Sequence, residues 1–160
     1  MAVTIDGAGP LAGATTLNGL TIPTTGFGKV LQVVRATDTT ERTTTSASFV
    51  DASISVTITP QKSTSAIIIL WISLIRPTTT GISQYHQITD NSNSAISGAE
   101  LMQFVAAGVN HRSSGVLIGY STPATTSATT YKGRFRVDTG TARIGNDVNT
   151  GQLYAIEVSA

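Results

Sequence analysis

The run AIIILWI, from Ala66 to Ile72, puts apolar side chains on both faces of any strand it forms. Just upstream, Ile54, Val56 and Ile58 alternate with Ser53, Ser55, Thr57 and Thr59, the period-two pattern of a strand with one dry face and one hydroxyl-lined face. Pro60 ends that strand because it has no N–H to give to a ladder, and residues 61–65 form a polar turn. A strand that is apolar on both faces must be covered on both faces. In an all-β chain the opposing sheet supplies one cover, and a long loop or another copy of the protein supplies the other. The run therefore predicts a chain that works as an assembly.

At 160 residues the chain fits a single domain, which at this size buries roughly 70% of the surface its unfolded form exposes. Charged residues make up only 12% and the net charge is +1, so neither a nucleic-acid clamp nor an acidic solvating tail is expected, and partners are selected by shape. Ser and Thr are abundant while Lys, Glu and Leu are scarce, a composition that favours pleated surfaces and turns over helices. With no Cys there is neither a disulfide nor a thiolate metal site, and stability falls to packing, ladder hydrogen bonds and oligomerisation. The opening MAVTIDGAGP has no basic or long apolar stretch, and the longest apolar run falls well short of the roughly 20 residues of a membrane helix. The expectation is a soluble chain made in a cytoplasm without a signal peptide, with no membrane and no nucleic-acid partner. No Asn-x-Ser/Thr sequon suggests a glycosylated ectodomain.

Residues 1–28 carry scattered apolar anchors among Gly and small polar residues and read as an extended N-terminal arm; residues 29–160 read as the folded domain. KVLQVVRA, Lys29 to Ala36, is the first strand candidate. Two short strands, Ser46 to Val50 and Ile54 to Thr59, flank Asp51-Ala52. ISQYHQIT, from Ile82, alternates ambiguously and suits an edge, and residues 90–94 are a strong turn. AELMQFVAA, from Ala99, reads as a strand, with a two-turn helix as the alternative. Val116 to Ser121 is a strand in which Gly119 marks a bulge or a close backbone approach. YKGRFRVD, from Tyr131, is the cleanest amphipathic strand, with Tyr131, Gly133, Phe135 and Val137 inward. QLYAIEV closes the chain with Tyr154, Ile156 and Val158 on one face. Eight to ten short strands at this spacing predict an all-β, jelly-roll-like antiparallel β-sandwich with an extended N-terminal arm.

The blocks TDTTERTTTSASFVD, SISVTITPQKSTS before the apolar strand, and STPATTSATTYKGRFRVDTGTARI with a closing YAIEV strand resemble a domain that recurs in bacteriophage virion structural proteins. These are of the tail-fibre and capsid-decoration type found in phages of aquatic bacteria. The resemblance spans about residues 29 to 160. It implies a β-sandwich displayed on the virus particle, usually as a homotrimer, and it carries no catalytic residues across. The long repetitive shaft that usually precedes such a head is missing here, which favours a compact accessory subunit.

Catalytic motifs are weak. Ser121, in GYSTP, lacks the second glycine of a nucleophile elbow, and GFGK at 26–29 lacks the first glycine and the hydroxyl of a phosphate loop. The carboxylates are too scattered to name a glycosidase pair. His86 and His111 have no second ligand at metal spacing, although a three-fold axis would turn a single His into three. Asp90, Asn91, Asn93, Asp147 and Asn149 have calcium-type oxygens but also the composition of ordinary turns. Tyr85 and Tyr120 are the aromatic candidates for stacking on a glycan. Lys132, Arg134 and Arg136 share one strand face, where solvent, a partner's carboxylates or an anionic glycan relieves their repulsion.

The combined expectation is a non-enzymatic virion protein with no cofactor and no metal, acting as a homotrimeric capsid decoration (cement) protein. Its arm residues Val3, Ile5, Leu17, Leu20 and Ile22 contact the major capsid protein or a neighbour, Ile67, Ile69 and Trp71 form the trimer interface, and Lys132, Arg134 and Arg136 form a charged contact stripe. The alternative is the tip of a tail fibre or spike, joined to fibre or baseplate proteins. Loops 77–81, 90–94 and 121–130 then recognise a host surface glycan or protein.

Overall fold

A computed structural model describes residues 29–109 and 111–159, together with the backbone of Thr16–Leu17 and Leu20–Thr21. The strands in chain order are β1 (Thr16–Leu17), β2 (Leu20–Thr21), β3 (Val30–Asp38), β4 (Arg42–Thr44), β5 (Val50–Ile58), β6 (Ala66–Ile75), β7 (Ser83–Asp90), β8 (Met102–Val105), β9 (Ser113–Ser121), β10 (Thr129–Val137), β11 (Ala142–Ile144) and β12 (Gly151–Val158). There is no helix among the described residues.

Eight of these strands build a sandwich of two antiparallel sheets. One sheet runs β5-β10-β7-β8; the other runs β3-β12-β6, with β9 on the free side of β6. The pairing is nested: β3 with β12, β5 with β10, β6 with β9 and β7 with β8. Numbered in sequence, the first strand pairs with the eighth, the second with the seventh, the third with the sixth and the fourth with the fifth. A long antiparallel hairpin folded over on itself gives this order, which is that of a jelly roll. β4 and β11 are an appendage. β11 takes over from β12 beside the end of β6, where Gly145 N–H donates to Leu74 C=O at 2.8 Å and Arg76 N–H donates to Arg143 C=O at 2.9 Å.

The core lies between the sheets and is centred on Trp71. Its indole stacks on the His86 imidazole at 4.8 Å, with Phe135 edge-on to that imidazole at 6.4 Å. Gly133 lies against the indole because nothing larger fits: a Cβ there would meet two Trp71 ring carbons at 2.9 Å. Gly119 is likewise a close approach, since a Cβ would meet Ile96 Cγ2 at 2.9 Å.

Three local readings change. The two short strands expected around Asp51-Ala52 are a single strand, β5, which absorbs its irregularity as a bulge opposite Gly133, with Ser53 at φ 57°. ISQYHQIT is an interior strand, since β7 lies between β10 and β8, and its Gln84, His86 and Ile88 side chains point into the core. AELMQFVAA does form a strand, shortened to Met102–Val105.

Candidate functional site

The two outer faces of the sandwich differ in chemistry. On the β5-β10-β7-β8 sheet most outward positions are polar: Asp51, Ser55 and Thr57 on β5, Lys132, Arg134 and Arg136 on β10, Gln87 on β7 and Gln103 on β8, with Tyr85 and Val105 the larger apolar exceptions. The outward positions of the β3-β12-β6-β9 sheet are mostly apolar, with Arg35, Thr37 and Gln152 the polar exceptions. Register aligns them in rows across all four strands: Val33, Ile156, Ile68 and Tyr120 in one; Arg35, Tyr154, Leu70 and Ile118 in the next; Thr37, Gln152, Ile72 and Val116 in the third. Val33, Val116, Ile118 and Tyr120 are each more than half exposed, at 55, 51, 54 and 55%. These side chains lie side by side as one contiguous apolar patch and not as scattered single residues, the kind of surface that marks a contact site.

The origin of this face is the uniform run at Ala66–Ile72. Ile67, Ile69 and Trp71 project inward, which leaves Ile68, Leu70 and Ile72 to project outward, and the neighbouring β9 and β12 match them with β-branched and aromatic residues. This corrects the trimer-interface assignment. Ile67, Ile69 and Trp71 are 0, 0 and 1% exposed, fully enclosed within one chain, so no neighbour reaches them. The other half of the same strand faces outward.

The charged stripe does share one face of β10, and each member already has partners within the chain. Lys132 Nζ donates to the Asn91 carbonyl at 3.0 Å and to Asn93 Oδ1 at 2.9 Å. Arg134 Nη2 donates to the Phe49 carbonyl. Arg136 lies over the Tyr85 ring at 3.8 Å and the Phe49 ring at 5.3 Å. Repulsion is relieved by the chain's own carbonyls and aromatic faces. The same contacts occupy two other candidates: the 90–94 turn hydrogen-bonds a lysine ammonium through its oxygens, and the Tyr85 ring is covered by Arg136. Tyr120 stays exposed, within the apolar face.

His86 is enclosed in the core, which removes it from any three-fold axis. Gln84 Nε2 lies 2.8 Å from His86 Nε2 and also donates to the Arg143 carbonyl at 3.1 Å, while Gln84 Oε1 accepts the Arg143 N–H at 3.1 Å. The Gln84 side chain thus ties β7 to β11 in the other sheet, and burial pushes the imidazole pKa down from 6.5 to about 3. His111 is exposed and stacks on Phe104 at 5.6 Å. Among the described residues, no three His, Cys, Asp or Glu side chains gather as a metal site.

Glu157 is the buried carboxylate of β12. Burial pushes its pKa up, but hydrogen bonds from Gln32 Nε2 at 2.6 Å and from the Gln61 and Lys62 N–H groups outweigh this and hold it below the usual carboxylate range. It anchors the β5–β6 loop to the sheet.

The three loops of the fibre alternative do not form one cluster. Residues 77–81 precede β7 and residues 90–94 follow it, so they sit at opposite ends of the sandwich. Loops 90–94 and 121–130 do meet, in a shallow groove lined by Asp90, Asn91, Ser92, Ala128, Thr129 and Thr130. Of the arm contacts, Val3, Ile5 and Ile22 lie outside the described residues; for Leu17 and Leu20 only the backbone pairing to each other is described.

No family model matches the chain, and no curated protein matches it. Among solved structures it is similar to a mutant VP2 protein of infectious bursal disease virus from derived T=1 particles, with 11% identity and a TM-score of 0.42 over 81% of this chain and 39% of that one. It is also similar to the structure of the Gx strain of that virus, with 13% identity and a TM-score of 0.35 over 81% of this chain and 37% of that one. The chain thus spans about two fifths of the length of these proteins. The jelly-roll assignment rests on the strand order described above.

Proposed function

We propose that the chain is a non-enzymatic structural subunit of a bacteriophage particle: a decoration protein that assembles as a homotrimer on the head, with an N-terminal arm that contacts the major capsid protein or a neighbouring copy. The observation that carries this reading is the apolar face of the β3-β12-β6-β9 sheet, which none of the described residues covers and which fits a protein whose work is contact with other protein. The jelly roll is an architecture that viral capsid domains share with lectins, and the resemblance of residues 29 to 160 to phage virion domains supplies the particle as the setting. Covering that patch contributes about 25 cal/mol per Å² of apolar surface before association costs are subtracted. Repeated over a lattice, contacts of that size stabilise a shell without any chemistry.

The test is the copy number of the chain per purified virion, measured by quantitative densitometry against the major capsid protein. A ratio near one per capsid subunit, or one trimer per lattice three-fold, is expected. A few tens of copies or fewer overturns head decoration.

The groove between loops 90–94 and 121–130 favours a second reading, a fibre or spike tip that binds a host glycan. Its carboxylate, amide and hydroxyl groups suit sugar hydroxyls. Under that reading Asn91→Ala and Thr129→Ala lower adsorption to host cells while trimer assembly is unchanged.

A further inference from the structure

The apolar face lacks a described cover, and the chain contains a segment suited to be one. The 28 residues before Lys29 carry a single charged side chain, Asp6, and a series of apolar ones that includes Leu17, Leu20 and Ile22. The outer face of the four-stranded sheet also carries a single charge among its described residues, Arg35, whose guanidinium lies 5.8 Å from the centroid of the Tyr154 ring at the β3 border. An apolar strip with one anion and an apolar face with one cation match in both composition and sign. Within the segment β1 and β2 pair as a two-residue hairpin, Thr16 with Thr21 and Leu17 with Leu20, across Asn18-Gly19, the dipeptide that suits a tight turn. So small a hairpin is not stable in water without a surface beneath it.

The point of attachment and the length of the segment bear on how far it reaches. At Lys29 the backbone still follows the strand axis: its carbonyl accepts the Ser159 N–H at 2.9 Å and its N–H donates to Ser159 Oγ at 3.0 Å. The 28-residue segment is therefore joined at the end of the β3–β12 pair, at the border of the face. Fully extended it spans up to about 90 Å, several times the roughly 15 Å between the outer strands of a four-stranded sheet.

We infer that residues 1–28 of one copy cover the outer β3-β12-β6-β9 face of a neighbouring copy, with Asp6 paired to Arg35 and the hairpin seated over Leu70 and Ile118. This deepens the arm contact of the proposed function by naming its partner surface as a second copy of this chain.

The absence of Cys makes the test clean. Ile118→Cys is combined, on separate chains, with Leu17→Cys, Leu20→Cys or Ile22→Cys in turn. The two chains are mixed, oxidised at low concentration and run on non-reducing gels. Crosslinked heterodimers from at least one arm position are the expected result. In the doubly substituted single chain, dimers and trimers are expected. A crosslink confined to the monomer band means that each arm closes over its own face and overturns the exchange; bands from Ile118→Cys pairing only with itself mean that two faces pack together, and also overturn it, as does no crosslink from any position. Arg35→Asp is expected to lower the crosslink yield several-fold, and adding Asp6→Arg to restore it. The purified chain is used without capsid, so failure here leaves the virion copy number untouched. Low copy number with an intact crosslink sinks the decoration reading alone.

Discussion

His86 and Gly133 show how much a single core position constrains. The imidazole is neutral in the folded chain, with its pKa pushed down to about 3 against 6.5 for the free group. Above pH 6.5 both folded and unfolded forms leave it neutral, and it adds no pH dependence. Below that, only the unfolded chain takes up the proton, so stability falls by about 1.4 kcal/mol per pH unit as pH drops towards 3. Asp38, Asp138 and Glu157 have lowered folded pKa values, so their contribution is lost only below the usual carboxylate range. Between pH 6.5 and 4.5 the decline therefore belongs to His86 among these groups. Urea midpoints across that interval should fall for the native chain and stay nearly flat for His86→Gln. At Gly133 the test is steric: Gly133→Ala pushes a methyl into the Trp71 ring and should cost about 1–3 kcal/mol by denaturant titration.

β6 shows what alternation in a sequence can and cannot reveal. Where polar and apolar residues alternate, as in Ile54 to Thr59 or Tyr131 to Val137, the inward set is legible, and the structure points those side chains as the pattern implies. In Ala66 to Ile72 every position is apolar, so existence of the strand was readable but its phase was not. Only pairing with β9 and β12 settles which half faces the core. Ile67, Ile69 and Trp71, expected at an interface from the sequence, are the half that faces the core. Its interior neighbours carry the same lesson: β7 looked like an edge because Gln84 and His86 are polar, yet the two satisfy each other inside. The halves of β6 should respond differently to substitution. Ile69→Ala empties core volume and should lower stability by about 2–5 kcal/mol, whereas Leu70→Ser should leave thermal stability of the monomer within about 1 kcal/mol and weaken self-association, as read by analytical ultracentrifugation.

At the scale of the whole molecule, the jelly-roll-like sandwich class was legible from turn spacing, but which strand pairs with which was not, because no local pattern encodes a partner more than a hundred residues away. β12 forms its ladder between β3 and β6. Ending the chain at Asn149 would leave both strands with an unpaired edge, and circular dichroism should show that such a chain fails to reach the native β signal. The order of synthesis adds a kinetic side to this. On the ribosome β3 and β6 emerge long before the strand that joins them, and at roughly 5–20 residues per second the apolar β6 waits several seconds for its second neighbour. During that interval its open edge is a template for the same strand of another nascent chain. Yield in a cell should therefore depend on chaperone capacity and translation speed more steeply than on the stability of the finished fold.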